Sequence, residues 1–420
     1  ASVVVSFVCA GVCACVVVGG GSVGFAGGGA VGGAGGGAGG GAGHAGGGPS
    51  PQLNFGLVMS HDGVTGYWDP TDSATWLEPP EKPFGYEELA YLSPGRRMAV
   101  LYGELAAQVN VEYAIPADGR VSVKLAGIEI CTITGKPDVR YLRKQLVYLR
   151  NYADLRLDRL PEINQQIYDL LSFMGSLGRL DASQKSYTLE FLTILQKLAF
   201  DVEMRVKHAC WCPRPIDFSD YVMPMIQTPD HSTFPSGHAC ESFALATGLN
   251  ECLHPAEGLR GGLKKWALPF RLAHRIAVNR TVAGVHFPVD SAAGAVLGMA
   301  IGDGICGLAK TYARHAAKPK ASLRHLIFEP VALEKRSKGQ KKVEASTDAD
   351  DSNAIQQGHA SKDRRFTFEA SQDFESGWLR RAAKKFPKAK SQKAPVLPVL
   401  GQYWTKVQQE WQTHGSGAAP

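Results

Sequence analysis

Apolar side chains recur every three or four residues along the central part of the chain, a spacing that places them on one face of an α-helix. Two runs show this most clearly: Val139, Leu142, Leu146, Leu149 and Ala153, and then Phe191, Leu195, Leu198 and Val202. The second run is expected to end by Pro213. Further helices are predicted from about Gly237 to Leu253, from about Lys264 to Val278, and from Pro288 to about Lys310. The pattern therefore predicts a mainly α fold, with a helical domain over residues 137–312.

Residues 49–136 lack this helical period and read as loops and short strands that pack on the helical domain. Within them, RVSVKLAGIEICTITG (residues 120–135) alternates apolar and polar positions, as half-buried strands do. We therefore predict a small β-hairpin on the N-terminal side of the helices.

The first 48 residues hold 20 of the chain's 48 glycines and become almost wholly Gly and Ala after Val31. Such a segment cannot bury enough apolar surface to order itself, so we expect residues 1–48 to be disordered. Their opening, ASVVVSFVCAGVCACVVV, is an apolar leader with the length of a signal h-region but no basic n-region before it. Export or membrane association is expected if this leader is a signal, and a soluble intracellular location if it is not.

Positive charge is concentrated in residues 313–420. The formal net charge is +6, and from Lys310 onwards 21 Lys and Arg stand against 11 Asp and Glu. Mixed charges with few large apolar residues predict a largely disordered tail, with a short C-terminal helix in VLPVLGQYWTKVQQEW. The rival interpretation is a weak contact of this tail with an anionic membrane surface. No nucleic-acid partner is expected, because aromatic residues do not alternate with the basic ones.

Glycines repeat every four residues in the last predicted helix, at Gly294, Gly298 and Gly302. This spacing lets a neighbouring backbone approach closely, in membrane helix pairs and in other tight helix crossings. Asp303 and the limited apolar length favour a buried helix of a soluble domain.

Nine cysteines are present, three of them in the apolar leader. The other six lack the paired CxxC spacing with histidine partners that marks structural zinc sites: Cys131, Cys210, Cys212, Cys240, Cys252 and Cys306. A structural zinc site is therefore not expected, and disulfide pairing is left open.

Three groups of polar residues lie at predicted helix boundaries. They are Lys207 and Arg214; Ser236, Gly237 and His238; and Arg280, His286 and Asp290. If the three boundaries converge, three cations meet in one pocket, which suits a tetrahedral dianion such as phosphate better than a singly charged ligand. Each residue alone has an ordinary structural explanation, and only their joint order favours a site.

The chemistry of such a pocket follows from the residue types. His286 is the candidate nucleophile toward phosphorus, with Asp290 holding its other ring nitrogen. His238 is the candidate acid that protonates the leaving oxygen and later takes a proton from water. Lys207, Arg214 and Arg280, together with Ser236 and the Gly237 amide, would bind the oxygens.

These residues resemble a known signature: Lys, six residues, Arg-Pro; then Pro-Ser-Gly-His; then Ser-Arg, five residues, His, three residues, Asp. It belongs to the type 2 phosphatidic acid phosphatase (PAP2) and vanadium haloperoxidase superfamily. Lys207 precedes Arg214 at the right interval, PSGH fills residues 235–238, and NRTVAGVHFPVD carries the third part. Asn279 departs from the pattern, because the signature has serine there. The resemblance covers about residues 185–305.

The resemblance implies a helical bundle of the PAP2/haloperoxidase type and one of two activities. The preferred one is a soluble acid phosphatase that needs no cofactor, acts on a small phosphorylated substrate and forms a phosphohistidine at His286. The alternative is a haloperoxidase that binds vanadate, with His286 as the single protein ligand to vanadium. His231 lies where the family's bromoperoxidases carry a second histidine, and is the candidate halide-side residue.

A third interpretation is a non-catalytic scaffold that keeps the anion pocket for regulation and docks through its basic tail. Under this interpretation, the complete set of nucleophile, acid and oxygen-binding groups has no catalytic role. We therefore rank it last. The sequence leaves the natural substrate and the oligomeric state open.

Overall fold

The computed structural model describes residues 51–61, 63, 71–77, 89–113, 120–312, 320–331, 365–384 and 386–412. The predictions for the apolar leader and the Gly/Ala segment, residues 1–48, lie outside these described residues. So do residues 332–364 and 413–420 of the tail.

The described part of the chain is mainly helical with a small sheet, which confirms the predicted fold class at that level. The helices are α1 (Pro51–Ser60), α2 (Pro94–Ala106), α3 (Val139–Ala153), α4 (Arg156–Gln166), α5 (Leu171–Gly178), α6 (Ser186–Ala209), α7 (Gly237–Leu253), α8 (Gly258–Lys265), α9 (Leu268–Val282), α10 (Pro288–Tyr312), α11 (Ser376–Lys384) and α12 (Pro398–Gln412). The strands are β1 (Val109–Tyr113), β2 (Val121–Leu125), β3 (Ile128–Ile133), β4 (Lys320–Leu323), β5 (Leu326–Val331), β6 (Arg365–Glu369) and β7 (Lys390–Lys393).

Helix α7 is the centre of the core and packs against α6, α9 and α10. Its crossing with α10 is close enough that a Cβ atom at Gly294 would lie 2.3 Å from the Ser236 carbonyl oxygen, and one at Gly298 would lie 2.0 Å from that of Cys240. Glycine is therefore required at both positions by the neighbouring backbone. The predicted close approach at the glycine stripe takes place between these two helices.

One helix in the described residues, covering Pro288–Thr311, is long and apolar enough to cross a membrane. In this fold 94% of an apolar 18-residue window within that stretch is buried inside the protein. Residues on all sides of α10 contact α7, α12 and the strands, so the helix serves as the core of the domain.

The N-terminal region differs from the prediction of loops and short strands. Residues 94–106 form α2, whose buried face carries Arg97, Leu101 and Leu105. Strands β2 and β3 pair antiparallel across the turn at Ala126 and Gly127, but they do so as part of a larger sheet of order β1-β2-β3-β5-β6. Strands β5 and β6 come from the tail and join in parallel, so a hairpin prediction limited to residues 120–135 could not show the whole sheet.

The prediction of a largely disordered tail is wrong for residues 320–331, 365–384 and 386–412. The reason is a set of large apolar residues spaced between the charges, each fully or almost fully buried: Phe366, Phe368, Phe374, Trp378, Tyr403 and Trp404. The number of charged residues gave no indication of this pattern, because the aromatic side chains are buried in the core while the lysines remain on the surface. The predicted C-terminal helix corresponds to α12, which packs on α10, α6 and α2.

Helix α12 also completes the N-terminus of α6. The carboxylate of Glu410 accepts hydrogen bonds from the backbone N–H groups of Tyr187 (2.8 Å) and Thr188 (2.9 Å). Helix N-termini leave these groups without helical acceptors and favour negative charge nearby. Because α6 carries Lys207 at its other end, the C-terminal helix supports an element of the candidate site.

Two helix boundaries also differ from the predicted ones. The helix expected from about Lys264 to Val278 is divided into α8 and α9, because Trp266 adopts a left-handed conformation (φ 56°) and Pro269 begins the next helix. Helices α4 and α5 were not predicted. The six cysteines of residues 131–306 are buried, and no disulfide joins any two of them in the described structure.

The α7–α10 crossing leads to a stability prediction. Replacement of Gly298 by alanine should lower the free energy of unfolding by about 2–4 kcal/mol, since the new methyl group meets a backbone carbonyl that cannot move away freely. Gly103 is the matched control: it lies exposed in α2 with open space around it, and alanine there should stabilise by about 0.5–1 kcal/mol. Urea unfolding followed by circular dichroism measures both. Equal stabilities of the two variants would contradict the packing argument.

Candidate functional site

The structure brings the candidate residues from all three helix boundaries to one place in the core. Lys207 lies at the end of α6, Arg280 at the end of α9 and Asp290 in the first turn of α10. Ser236 precedes α7, while Arg214, His231 and His286 lie in the loops between these helices. The hydrogen bonds among them, described below, show that the three boundaries converge.

His286 and Asp290 are in contact, four residues apart across the start of α10. Nδ1 of His286 lies 3.2 Å from Oδ2 of Asp290. The same carboxylate oxygen accepts hydrogen bonds from the Thr233 hydroxyl (2.6 Å) and from the backbone N–H of Phe287 (2.9 Å). Burial raises the pKa of Asp290 to about 6, against the lowering effect of these hydrogen bonds. At neutral pH the group is therefore a carboxylate that accepts the His286 N–H.

The other ring nitrogen of His286 points to Arg214, whose Nη1 lies 3.4 Å from Nε2. A guanidinium only donates, so Nε2 carries the lone pair and the proton is on Nδ1, facing Asp290. Burial lowers the pKa of His286 well below its ordinary value, and Arg214 and Lys207 lower it further. The ring is thus neutral at neutral pH, with an available nitrogen nucleophile directed toward a cation.

Arg214 is fixed by backbone carbonyl groups. Its Nε donates to His231 (3.1 Å) and its Nη1 to Val285 (3.0 Å). Nη2 lies 3.2 Å from Nδ1 of His231, so the candidate halide-side residue contacts this guanidinium directly. Burial lowers the pKa of Arg214 to about 10 and, with the nearby cations, that of His231 to about 4. Arg214 remains charged at neutral pH, whereas His231 is neutral.

Lys207 is buried, with only 1% of its surface exposed. Its ammonium donates to the carbonyl oxygens of Ser232 (3.2 Å) and Pro235 (2.5 Å). One helical turn earlier, Glu203 is also buried, and its Oε2 has no hydrogen-bond partner in the described part of the chain. Burial lowers the pKa of Lys207 and raises that of Glu203, while the opposite charges partly offset both shifts.

Gly237 has a different neighbour from the one expected. The sequence predicts that the backbone at Gly237 faces the oxygens of a bound anion. In the structure, a Cβ atom at this position would lie 2.3 Å from Oε1 of Glu203. Glycine at position 237 therefore makes room for the Glu203 carboxylate.

Unpaired donors mark the anion-binding side of the site. Nε and Nη1 of Arg280 and the hydroxyl of Ser236 are buried without a hydrogen-bond partner in the described residues. Buried polar atoms are rarely left in this condition, because each costs about 1–3 kcal/mol. Burial lowers the pKa of Arg280 to about 10, so its guanidinium remains charged. A bound oxyanion would satisfy these donors.

His238 lies in the first turn of α7 and is held by α4. Its Nε2 is 3.1 Å from the backbone carbonyl oxygen of Gln166. A carbonyl oxygen only accepts, so Nε2 carries the proton and Nδ1 is left for exchange with a ligand. Burial lowers the pKa of His238 well below its ordinary value, and Arg280 lowers it further.

Three site neighbours were missed by sequence reasoning. Thr233 lies inside HSTFPSGH and could have been selected as a hydroxyl beside a catalytic motif. Glu203 lies four residues before Lys207, on the same face of a helix that the sequence predicted. Gln166 had no signal, because it is a lone polar residue in α4, a helix whose existence was not predicted.

A separate cavity of about 530 Å³ lies between α3 and residues 371–381, and none of the candidate site residues lines it. Tyr148, Tyr152, Asp373 and Trp378 are among its walls. The candidate site is thus identified by buried charge and unpaired donors, and its position differs from that of this cavity.

The model of the PAP2 superfamily matches residues 189–310, which include most of α6, all of α7, α8 and α9, and nearly all of α10. A search of curated proteins found no match. The matched segment contains Lys207, Arg214, His238, Arg280, His286 and Asp290.

The proton positions can be tested directly. Nuclear magnetic resonance of the protein labelled with ¹⁵N-histidine should show His286 as the neutral Nδ1–H tautomer and His238 as the neutral Nε2–H tautomer at pH 7. The physical reason is that burial lowers both pKa values well below 6.5. His286→Asn and His238→Asn identify the two signals, and the exposed His254→Asn serves as the control for assignment. A charged ring at pH 7 in either position would contradict the described electrostatics.

Proposed function

We propose that the protein is a phosphate-monoester hydrolase of the acid phosphatase type. The match of the PAP2 superfamily model to residues 189–310 supports a phosphatase-type hydrolase. In this proposal the reaction proceeds through a phosphohistidine at His286. The substrate is a small phosphorylated molecule, and no cofactor takes part.

One observation carries the proposal. His286 is buried and neutral, donates from Nδ1 to Asp290, and directs its Nε2 lone pair toward Arg214. The contact of Nε2 with Arg214 is long, at 3.4 Å, so an incoming phosphoryl oxygen can take the guanidinium and leave the lone pair free to attack. Here the second nitrogen faces a cation that a phosphoryl oxygen can also bind, as a nucleophile of phosphoryl transfer requires.

In the first step, Nε2 of His286 forms a bond to phosphorus while the bond from phosphorus to the ester oxygen breaks. The electron pair of that bond leaves with the oxygen, and His238 donates the proton that converts it to an alcohol. Nδ1–H remains on the ring, where the Asp290 carboxylate stabilises the positive charge that develops.

In the second step, a water molecule attacks the phosphorus of the phosphohistidine. His238, now neutral, accepts a proton from the water, and the electron pair of the P–N bond returns to Nε2. The products are inorganic phosphate and the original enzyme. Atoms and charges balance without a metal or an oxidant.

The three cations supply the electrostatic part of catalysis. Negative charge on the three oxygens of the transferring phosphoryl group is stabilised by Lys207, Arg214 and Arg280. The Ser236 hydroxyl and the first N–H groups of α7 complete the set. Because backbone carbonyls hold the three cations in place before the substrate binds, little reorganisation is needed in the transition state.

A haloperoxidase activity is the second candidate, and His231 is the observation that favours it. This half-buried histidine contacts Arg214 at the site. The buried unpaired donors of Arg280 and Ser236 fit vanadate as well as phosphate, because both are tetrahedral oxyanions. His286 would hold vanadate through Nε2, and the bound ion would supply the Lewis acidity that activates hydrogen peroxide toward halide.

A pair of assays with the purified chain separates the two activities. We expect hydrolysis of p-nitrophenyl phosphate, inhibition of that activity by orthovanadate, and loss of activity by at least about 1,000-fold in His286→Ala, since the nucleophile is removed. His254→Ala, an exposed histidine at the end of α7, is the matched control and should retain activity. If the chain instead brominates a dye with peroxide only when vanadate is present, and releases no phosphate in any buffer, the haloperoxidase activity is favoured over the phosphatase. Absence of both activities would leave the non-catalytic anion-binding scaffold.

The pH profile of kcat/KM provides a second test. His238 must be protonated to act, and its pKa is lowered, so activity declines as pH rises through that low value. On the acid side, activity declines as Asp290, whose pKa is about 6, gains a proton. The optimum should therefore lie below about pH 6.

The substrate phosphate itself titrates near pH ~6, so a control is needed. In His238→Asn, the part of the profile caused by the substrate persists, while the part caused by His238 disappears. The variant should lose roughly 100- to 10,000-fold in kcat. A flat wild-type profile from pH 5 to 9 would contradict the role of His238.

A further inference from the structure

Gln166, the last residue of α4, connects two of the site's charged or proton-transferring residues. It is completely buried. Its side-chain Oε1 accepts from Nη2 of Arg280 (3.2 Å), and its backbone carbonyl oxygen accepts from Nε2 of His238 (3.1 Å). One residue outside the family signature therefore contacts both the candidate anion-binding arginine and the candidate acid.

The orientation of the Gln166 amide is fixed by its neighbours. Oε1 also accepts from Nδ2 of Asn279 (3.0 Å), while Nε2 donates to Oε1 of Glu162 (3.0 Å). Asn279 is similarly constrained, because its Oδ1 accepts from Arg159 (3.2 Å) and its Nδ2 also donates to Glu162 (2.9 Å). If either amide were flipped, donors would face donors. Asn279, the departure from the family signature, thus belongs to the group of residues that hold Gln166.

The contacts of Arg280 have an electrostatic consequence. Nη2 donates to two neutral oxygens, those of the Gln166 amide and the Ile163 backbone carbonyl (3.3 Å). Nε and Nη1 have no partner in the described residues. The guanidinium is therefore held in place without a carboxylate at hydrogen-bond distance, and its full charge remains available to an anion. A carboxylate in the place of the amide would hold it equally well but would neutralise it.

Helix α4 is itself fixed to the site's helices. Arg156 donates to the carbonyl oxygens of Val222 (2.9 Å) and Val282 (3.1 Å), and Ile163 is buried against Val282 and Val285. The position of Gln166 is consequently set by packing along the whole helix, as precise placement of a site residue requires.

We propose that Gln166 is a positioning residue of the phosphate site: its neutral amide orients Arg280 without neutralising it, and its backbone carbonyl holds His238 in the Nε2–H tautomer. This inference rests on the proposed function, since it assigns Gln166 to the binding of the same tetrahedral anion. It differs from a merely structural role, in which only the number of hydrogen bonds would matter.

An exchange of two residues separates charge from hydrogen bonding. The double variant Gln166→Glu, Glu162→Gln keeps one amide and one carboxylate in the network, but it moves the negative charge next to Arg280. Glu162→Gln alone is the matched control, because it removes the same carboxylate, with its ion pair to Arg275, and leaves position 166 neutral. Dissociation constants for orthovanadate and inorganic phosphate are measured by calorimetry, and unfolding in urea checks that each variant is folded.

We expect both anions to bind at least about tenfold more weakly to the double variant than to Glu162→Gln, since an acidic group then competes for Arg280. KM for p-nitrophenyl phosphate should rise in parallel. The alkaline decline of kcat/KM should move to higher pH, because a carboxylate at position 166 offsets the effect of Arg280, which lowers the pKa of His238. Affinities within twofold of the control would overturn the proposal.

The outcomes for the two hypotheses remain distinguishable. If the wild-type chain binds the anions but hydrolyses no ester, the proposed function fails while the comparison of affinities still decides the role of Gln166. If the wild-type chain binds neither anion, both fail. Should the double variant not fold, Gln166→Met keeps the volume and the backbone carbonyl and removes the amide oxygen, and an anion affinity equal to that of the wild type would then overturn the proposal.

Discussion

The close crossing of α7 and α10 is the constraint on which the rest of the site depends. Because Gly294 and Gly298 have no side chains, the two backbones approach until the N–H of Ser236 donates to the Asp290 carbonyl at 2.9 Å. That bond joins the loop before α7 to the first turn of α10. His238 and His286 are brought to one pocket by backbone contact, so their separation does not depend on flexible side chains. A larger residue at Gly294 or Gly298 would move α7 away from α10 and so separate His238 from His286, although neither histidine is itself replaced.

The burial of three cations close together is electrostatically unfavourable unless an anion is bound between them. Lys207, Arg214 and Arg280 are buried with charged groups, while the nearby carboxylates are Asp290 and Glu203, both with raised pKa values because of burial. Buried charge without a partner is costly, and the protein reduces the cost by directing backbone carbonyls at each cation. Carbonyls stabilise a cation without cancelling its charge. The site therefore retains a positive potential that a phosphate dianion can use, at some expense in the stability of the free protein.

How much of this was predictable differs from residue to residue. The motif residues could be found because the signature fixes their intervals, and the helices that carry them have strong apolar periods, as at Phe191, Leu195 and Leu198. The neighbour of Gly237 could not be predicted, because Glu203, which occupies the space of the missing side chain, is 34 positions away in another helix. The order of the tail was not predicted, because its buried aromatic residues are not spaced with the period of a helix or a strand. They pack against elements elsewhere in the chain, such as α10. Composition describes a segment in isolation, whereas order in such a segment is decided by surfaces elsewhere in the chain.

The tail and α4 show how elements outside the matched segment can control chemistry within it. The family match begins at residue 189 and ends at 310, so it includes neither Gln166 nor α12. Yet Gln166 contacts Arg280 and His238, and Glu410 of α12 binds the first N–H groups of the helix that ends at Lys207. Residues of the matched segment are thus held in part by elements that lie outside it. For Arg280 the required atom is an uncharged oxygen, and the amide of Gln166 and the carbonyl of Ile163 both satisfy that requirement.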